Sequence, residues 1–323
     1  MTQIHPMQQF HDMIGQIMEN GVRRPNRTGV DTLFLPGFHL AFDLQRDGFP
    51  AITTKKLAFK SAVGELVGFF RGATSAAQFR EVGCKVWDQN ANETESWLAS
   101  QYRKGLDDLG RIYSAQWTDW LDWREVDSPE AAKQLEEKGY SLIAHDVARG
   151  VYVYRRGINQ LERALHTLMT NPSDRGIMIS AWRPDEFDQM ALRPCHVSFQ
   201  YLCDTESNKL HLCMYQRSFD TFLGFNVVMG GLMLAIMAKL AGMEASTFSH
   251  FIGDSHVYVS HFDAVNELLS RDHRPQPTLH LGDSIPTLKS VDEIPGVFTR
   301  IQPDDIWLEG YDPHPPIKAP MAA

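Results

Sequence analysis

The segment NVVMGGLMLAIMAKLAG, residues 226–242, is the stretch of this chain that fits nowhere but the interior. It carries a single charge, Lys239. That lysine and its short length make it a poor membrane span, which needs about 20 predominantly apolar residues. The segment is therefore predicted to be a buried helix running from Asn226 to about Ala241. A helix that is apolar on every side must be wrapped by other elements, so the remaining chain has to supply them.

The rest of the sequence offers suitable material. At 323 residues the chain can form one large domain or two ordinary ones, and 43% hydrophobic against 22% charged residues gives a globular balance. Met7, Phe10, Met13, Ile14, Ile17 and Met18 recur at helical spacing, which predicts an opening amphipathic helix that stops near Gly21. In TLFLPGFHLAFDL the alternation of Leu40, Phe42 and Leu44 predicts strands broken at Pro36-Gly37. Val63, Leu66, Val67 and Phe70 mark a second helix, with Glu65 as a lone acid in apolar surroundings.

From about residue 91 to 156 the composition turns polar and charged, and we read a charged insertion or small subdomain there. Within it, SPEAAKQLEEKG predicts a surface helix with Ser128 as N-cap, Pro129 at the first position and Gly139 as the stop. Ile158, Leu161, Leu165 and Leu168 restore helical periodicity. IMISAW, HVSFQYLC and LHLCMY then read as strands. After the central helix come STFSHFIGD, a helix around Phe262 to Leu269, and a β-rich tail. Strands and helices do not alternate strictly, which predicts an α+β fold with one mixed β-sheet packed with helices.

The formal charge of −9 argues against nucleic acid as a partner, although a few local arginines can still hold a small anion. The four cysteines, Cys84, Cys195, Cys203 and Cys213, form no CxxC pair, and the N-terminal stretch lacks the pattern of a signal peptide. Free thiols in a reducing cytoplasm are the expectation, with no membrane association.

Three clusters could carry chemistry. Cys195 follows Pro194 and precedes His196 at the mouth of a predicted strand. Taken alone, such a cysteine is more often a packed core residue than a catalytic one, the reading that suits Cys203 and Cys213. The cations flanking it, Arg193 and His196, would lower a thiol pKa and favour a nucleophile. The second cluster, YQRSFDTFLGFN, gathers Arg217, Ser218, Asp220 and Asn226 where a strand feeds a helix, a natural phosphate site or an ordinary solvated loop. In the third, GDSHVY, His256 and Tyr258 share a face if extended and could hold a sugar hydroxyl. His256 has no second ligand at helical or hairpin spacing, so no metal is expected.

These motifs carry a resemblance. RPCHVSFQ, YQRSFDTFLG with its following FN, GDSHVY and the closing EGYDPHPPIKAPMAA occur in the order found in thymidylate synthases. NRTG, FPAITTKK, GELVGFF and VWD match the N-terminal half of that family. The chain resembles the family over most of its length, the charged stretch around 121 to 156 excepted. The resemblance implies an α+β homodimer that methylates deoxyuridylate (dUMP) to dTMP with 5,10-methylenetetrahydrofolate.

It also implies roles. Cys195 would be the thiolate that adds to carbon 6 of the uracil ring, with His196 beside it in the catalytic set. Glu65 would move protons, and Tyr113 would help remove the proton from carbon 5. Arg27, Arg217 and Ser218 would hold the 5′-phosphate, joined by Arg175 from the partner subunit. His256 and Tyr258 would hold the 3′-hydroxyl, and Asn226 would face the ring. Asp220 would lie between nucleotide and folate, and Trp87 and Ala322 of the closing tail would meet the folate.

The departures from the family cluster. Gly176 follows Arg175 where the family usually has a second arginine, with Arg193 as a candidate replacement. Ala58 stands for a histidine that contacts folate, Asn90 for a tryptophan, and the loop before Asn226 is shortened to LGFN. Two alternatives accompany the synthase reading. A pyrimidine-nucleotide 5-hydroxymethyltransferase would use the same folate but place water where the synthase places hydride. A non-catalytic nucleotide-binding relative would have lost Cys195 or Glu65, both present here.

Overall fold

The computed structural model describes residues 4–26 and 29–319. The chain opens with α1 (Gln8–Asn20), β1 (Val22–Arg24), β2 (Thr32–Asp43) and α2 (Phe59–Phe70). Four short helices follow: α3 (Ala76–Glu81), α4 (Asp88–Asn92), α5 (Glu95–Leu98) and α6 (Tyr113–Thr118). Next come β3 (Trp120–Val126), α7 (Pro129–Glu137), β4 (Ser141–Asp146), β5 (Val151–Ile158) and α8 (Gln160–Thr170). The second half holds β6 (Met178–Ser180), β7 (His196–Asp204), β8 (Lys209–Asp220), α9 (Phe225–Ala241) and β9 (Glu244–Tyr258). The chain closes with α10 (Phe262–Leu269), β10 (Thr278–Leu281), α11 (Val297–Arg300) and β11 (Ile306–Glu309). The fold is α+β.

The main sheet has the order β1-β2-β9-β8-β7-β6, antiparallel except for the pair β8 and β9. A parallel pair needs a crossover, and α9 supplies it. This explains the apolar segment of the sequence. One side of α9 packs on β8 and β9, while α2 and α8 cover the other. Val227, Leu232, Leu234, Ile236 and Leu240 are fully buried, each contributing about 1.5–3 kcal/mol. Gly230 lets the helix approach the sheet, since a Cβ there would collide with the Phe248 ring.

The expected break at Pro36-Gly37 does not occur: β2 runs through it, paired with β9 from Thr32 to Asp43. Pairing with β1 reaches only Phe34, so beyond that point β2 is an edge. There the missing N–H of Pro36 costs no ladder bond, and Gly37 absorbs the bend with a φ of +77°.

Residues 91–119 contribute Ala91, Trp97, Leu109, Tyr113 and Trp117 to the main core. A separate three-stranded sheet, β3-β5-β4, follows and is covered by α7 through a small cluster of Ala132, Tyr140 and Tyr154. The Ser128 hydroxyl caps α7 by accepting from the Ala131 N–H. The helices of the main core lie on one face of the large sheet, against Phe199, Tyr201, Leu212 and Phe248. The opposite face leaves Tyr215 and Phe251 45% and 42% exposed.

Candidate active site

A cavity of about 960 Å³ opens where the ends of β8 and β9 meet α2, α4, α6 and the start of α9. Cys195, Glu65, Tyr113, His196 and Asn226 all line it, as do Arg217, Ser218, Asp220, His256, Tyr258 and Trp87. Eleven residues from seven distant segments therefore share one space.

Cys195 sits half-buried in the turn that enters β7. The turn is pinned from two sides. Arg217 on β8 donates from Nε to the Pro194 carbonyl and from Nη2 to the Arg193 carbonyl, both at 2.9 Å. Its backbone N–H donates to the Cys195 carbonyl at 2.9 Å. From the other side, the Cys195 N–H donates to the Tyr113 hydroxyl at 2.5 Å. The cysteine is thus placed by main-chain contacts that leave its thiol toward the cavity.

The flanking cations differ from the sequence expectation. His196 is buried, and that burial holds its imidazole down at about 4, against the opposing influence of the Asn226 side chain. It is neutral at pH 7 and gives the thiol no charge. The Arg193 guanidinium lies 4.9 Å over the Phe187 ring and is absent from the cavity wall. Arg217 is the cation that the fold brings to this turn.

Glu65 lies on α2, the one acid among nine buried positions of that helix. Burial pushes its carboxyl up to about 8, against the pull of the Trp87 indole. The carboxyl is protonated at neutral pH and can give a proton away. Tyr113 opens α6 inside an aromatic box, stacked on Phe69 at 5.2 Å and edge-on to Trp87 at 5.6 Å. Burial and then the neighbouring Cys195 raise its pKa well above the ordinary value, so it acts as a neutral phenol and not as a phenolate base.

The nucleotide side is built by strand register. His256 on β9 pairs with Phe34 on β2 and Asp220 on β8; Asp254 pairs with Pro36 and Ser218. Asp254, His256 and Tyr258 alternate onto one face, with the His256 and Tyr258 rings 5.3 Å apart and perpendicular. Burial raises the Asp220 pKa, opposed by His256, His261 and Lys55. Burial lowers Lys55 to about 8, with Asp220 pulling the other way.

Asn226 enters the cavity from the second position of α9. The shortened loop reaches it through Gly224, whose φ of +62° turns the chain, and a Cβ there would strike Ile52. Ala58 and Asn90 both line the cavity. The C-terminal stretch 317–319 closes one wall, strapped down by Arg271, which donates to the Thr54 and Pro315 carbonyls at 2.9 and 2.7 Å. Arg27 and Ala322 lie outside the described residues. Arg175 is exposed on the loop before β6 and is not part of this chain's cavity wall.

Sequence reasoning assigned no role to Arg24, Lys55 or Asp254, which also line the cavity. The signal for Asp254 was present in GDSHVY, where it falls two residues before His256 on the same strand face.

A deep cleft that holds a thiol, a protonated acid and paired polar groups at its walls is the architecture of an enzyme. The thymidylate synthase family model matches residues 8–323. A thymidylate synthase of Pseudomonas putida is 43% identical over 323 residues, 98% of this chain and 100% of that one. One from Bordetella parapertussis is 44% identical over 324 residues, again 98% and 100% of the two chains. Thymidylate synthase 1/2 of Encephalitozoon cuniculi is 34% identical over 325 residues, 99% of this chain and 98% of its own. The chain belongs to the thymidylate synthase family.

Proposed function

We propose that the chain converts dUMP to dTMP, with 5,10-methylenetetrahydrofolate giving both the one-carbon unit and the hydride. The observation that carries this reading is the meeting of Cys195, Glu65, Tyr113 and Asn226 in one cavity from four separate elements. Carbon 5 of uracil is a poor nucleophile. When the Cys195 thiolate forms a bond to carbon 6, the ring electrons move onto the carbon 4 oxygen as an enolate. Carbon 5 can then attack the methylene carried by the folate. Glu65, protonated at neutral pH, supplies a proton to that oxygen and to the folate through water. Tyr113 hydrogen-bonds the water that takes the carbon 5 proton. Loss of that proton breaks the bond between the bridging carbon and the folate nitrogen, which leaves an exocyclic methylene and tetrahydrofolate. Hydride from the tetrahydrofolate then reduces the methylene to methyl, the Cys195 thiolate leaves carbon 6, and dihydrofolate remains.

In this reading Arg217 and Ser218, with Arg27, receive the 5′-phosphate, and His256 and Tyr258 receive the 3′-hydroxyl. Trp87, Asp220 and the C-terminal tail including Ala322 border the folate. Product mass tests the reaction: incubation with dUMP and the folate yields a methylated nucleotide, and a hydroxymethyl product would overturn the reading.

Base choice rests on Asn226. In the orientation where its amide oxygen accepts from uracil N3–H and its NH₂ donates to O4, the same amide meets cytosine with acceptor against N3 and donor against the 4-amino group. Such an unpaired group costs about 1–3 kcal/mol. The expected preference for dUMP over deoxycytidylate is at least about tenfold in kcat/KM, or about 1.4 kcal/mol. Asn226→Asp narrows or reverses it; an unchanged preference in that variant would count against this role.

A cytoplasmic homodimer completes the proposal. The bare sheet face with Tyr215 and Phe251 supports it, as an exposed aromatic surface of this kind calls for a cover. Gln200 supports the shared site. It alternates with the buried Phe199 and Tyr201, so it belongs to the bare face, and its Nε2 donates to the Arg175 carbonyl at 2.8 Å. That contact holds the Arg175 backbone beside the bare face, the side from which the proposed partner contact would be made. Mixing Arg175→Ala with Cys195→Ser subunits should restore about a quarter of the sites after random exchange. Verified exchange without recovered activity would refute the shared site.

No helix among the described residues is long and apolar enough to cross a membrane.

A further inference from the structure

Asp254 and Arg24 form a connected pair beside His256. The Asp254 carboxylate accepts from His256 Nδ1 at 2.8 Å and forms an ion pair with the Arg24 guanidinium. Arg24 lies 3.6 Å over the ring of Phe34, and Phe34 is the β2 partner of His256. The imidazole thus has a carboxylate at Nδ1, and behind that carboxylate a cation seated on the ring of its β2 partner. On the remaining side its β8 partner Asp220 turns a carboxylate oxygen to the Phe222 N–H at 3.0 Å.

An ionised carboxylate only accepts hydrogen bonds, so the proton it shares with His256 belongs to Nδ1. We infer that Asp254, braced by Arg24, is a positioning residue that fixes the His256 tautomer and so presents Nε2 to the cavity as a hydrogen-bond acceptor. This inference rests on the reading that His256 meets the 3′-hydroxyl. Burial lowers the His256 pKa, with Asp220 raising it and Arg24 lowering it, and the ring stays in the neutral form that has an Nε2 lone pair.

The arrangement has a chemical consequence. A lone pair aimed at the ligand favours a group that donates a hydrogen bond, which a free 3′-hydroxyl does. It disfavours a 3′-phosphate, whose oxygens are acceptors. Asp254 thereby selects nucleotides with an unesterified 3′ end. Arg24 has a second effect. Asp254 pairs with Ser218 across β8, beside the proposed phosphate position, and Arg24 neutralises a negative charge that would otherwise repel the ligand.

The test measures Kd for dUMP and for its 3′-deoxy analogue on the wild type and on Asp254→Asn. The asparagine amide can donate or accept, so it no longer imposes one tautomer. The wild type should bind dUMP about tenfold more tightly than the analogue, the loss expected for one buried hydrogen bond. In the variant the ratio should fall to within about twofold, whatever uniform change the unpaired Arg24 charge makes to the affinity for both ligands. A wild type that binds both equally would refute the contact between His256 and the hydroxyl. A wild type that discriminates beside a variant that discriminates equally well would refute the role of Asp254. Parallel loss of both ligands in the variant, with their ratio unchanged, would make Asp254 structural and also overturn the inference. Should the variant not fold, ¹⁵N spectra of the wild type decide: Nδ1 protonated is expected, and Nε2 protonated overturns the inference.

Discussion

Replacing Cys195 with serine lowers kcat/KM by at least about a thousandfold, about 4 kcal/mol of transition-state stabilisation. A serine hydroxyl is far less ionised than a thiol at neutral pH, and among the described residues of the cavity no strong base stands ready to activate it. Tyr113 is a phenol held well above its ordinary pKa, and Glu65 is protonated. His196 is neutral but lies buried against the Asn226 side chain. Nucleotide binding should survive, because Arg217 holds this turn through the carbonyls of residues 193 to 195 and not through the thiol. The check is steady-state kinetics beside equilibrium binding of dUMP. A serine variant with more than a few per cent of wild-type turnover would end the covalent reading, as would the absence of a nucleotide-sized mass increase on quenched wild-type enzyme.

Glu65→Gln removes the proton donor while keeping size and polarity. General acid–base groups contribute about 10²–10⁴ in rate, so kcat should fall by that range with a smaller change in dUMP affinity. The pH profile gives a second readout. With the folded pKa at about 8, wild-type kcat/KM declines as pH rises through that value, and the glutamine variant lacks this limb. Stability also falls as pH rises. The unfolded carboxyl ionises near 4.5, while the folded one keeps its proton to about 8. Folding is therefore favoured by this group below pH 4.5, and that contribution is lost as pH rises from about 4.5 to about 8. Above that window the fold carries a buried charge, and Glu65→Gln should melt at a higher temperature than the wild type. Equal melting temperatures at pH 8.5 would show that Glu65 is solvated instead.

Much of the architecture is legible in the residues, and the reason is local. The segment 226–242 has to be interior whatever surrounds it, and its observed helix, Phe225–Ala241, begins one residue earlier than expected and ends where expected. The helix behind Ser128 declares its own start, since a serine cap and a proline at the first position act within four residues. Pro36 shows the limit of local reading. Proline breaks a strand only where its N–H is needed, and whether β2 has a neighbour at that point depends on where β1 stops.

The site divides along the same line. Residue chemistry and motif order point to Cys195 and Glu65 as reactive groups and to Arg217 and His256 as nucleotide-binding ones, because each lies in a short motif whose order along the chain can be read directly. The sequence also marks Arg193 and His196 as cations for the thiol. Packing decides otherwise by stacking one on Phe187 and burying the other without charge. The ion pair of Arg24 with Asp254, and its grip on His256, joins the start of the chain to the last strand of the main sheet. Only strand register can place those groups together, because register is set by long-range pairing that no short stretch of sequence encodes.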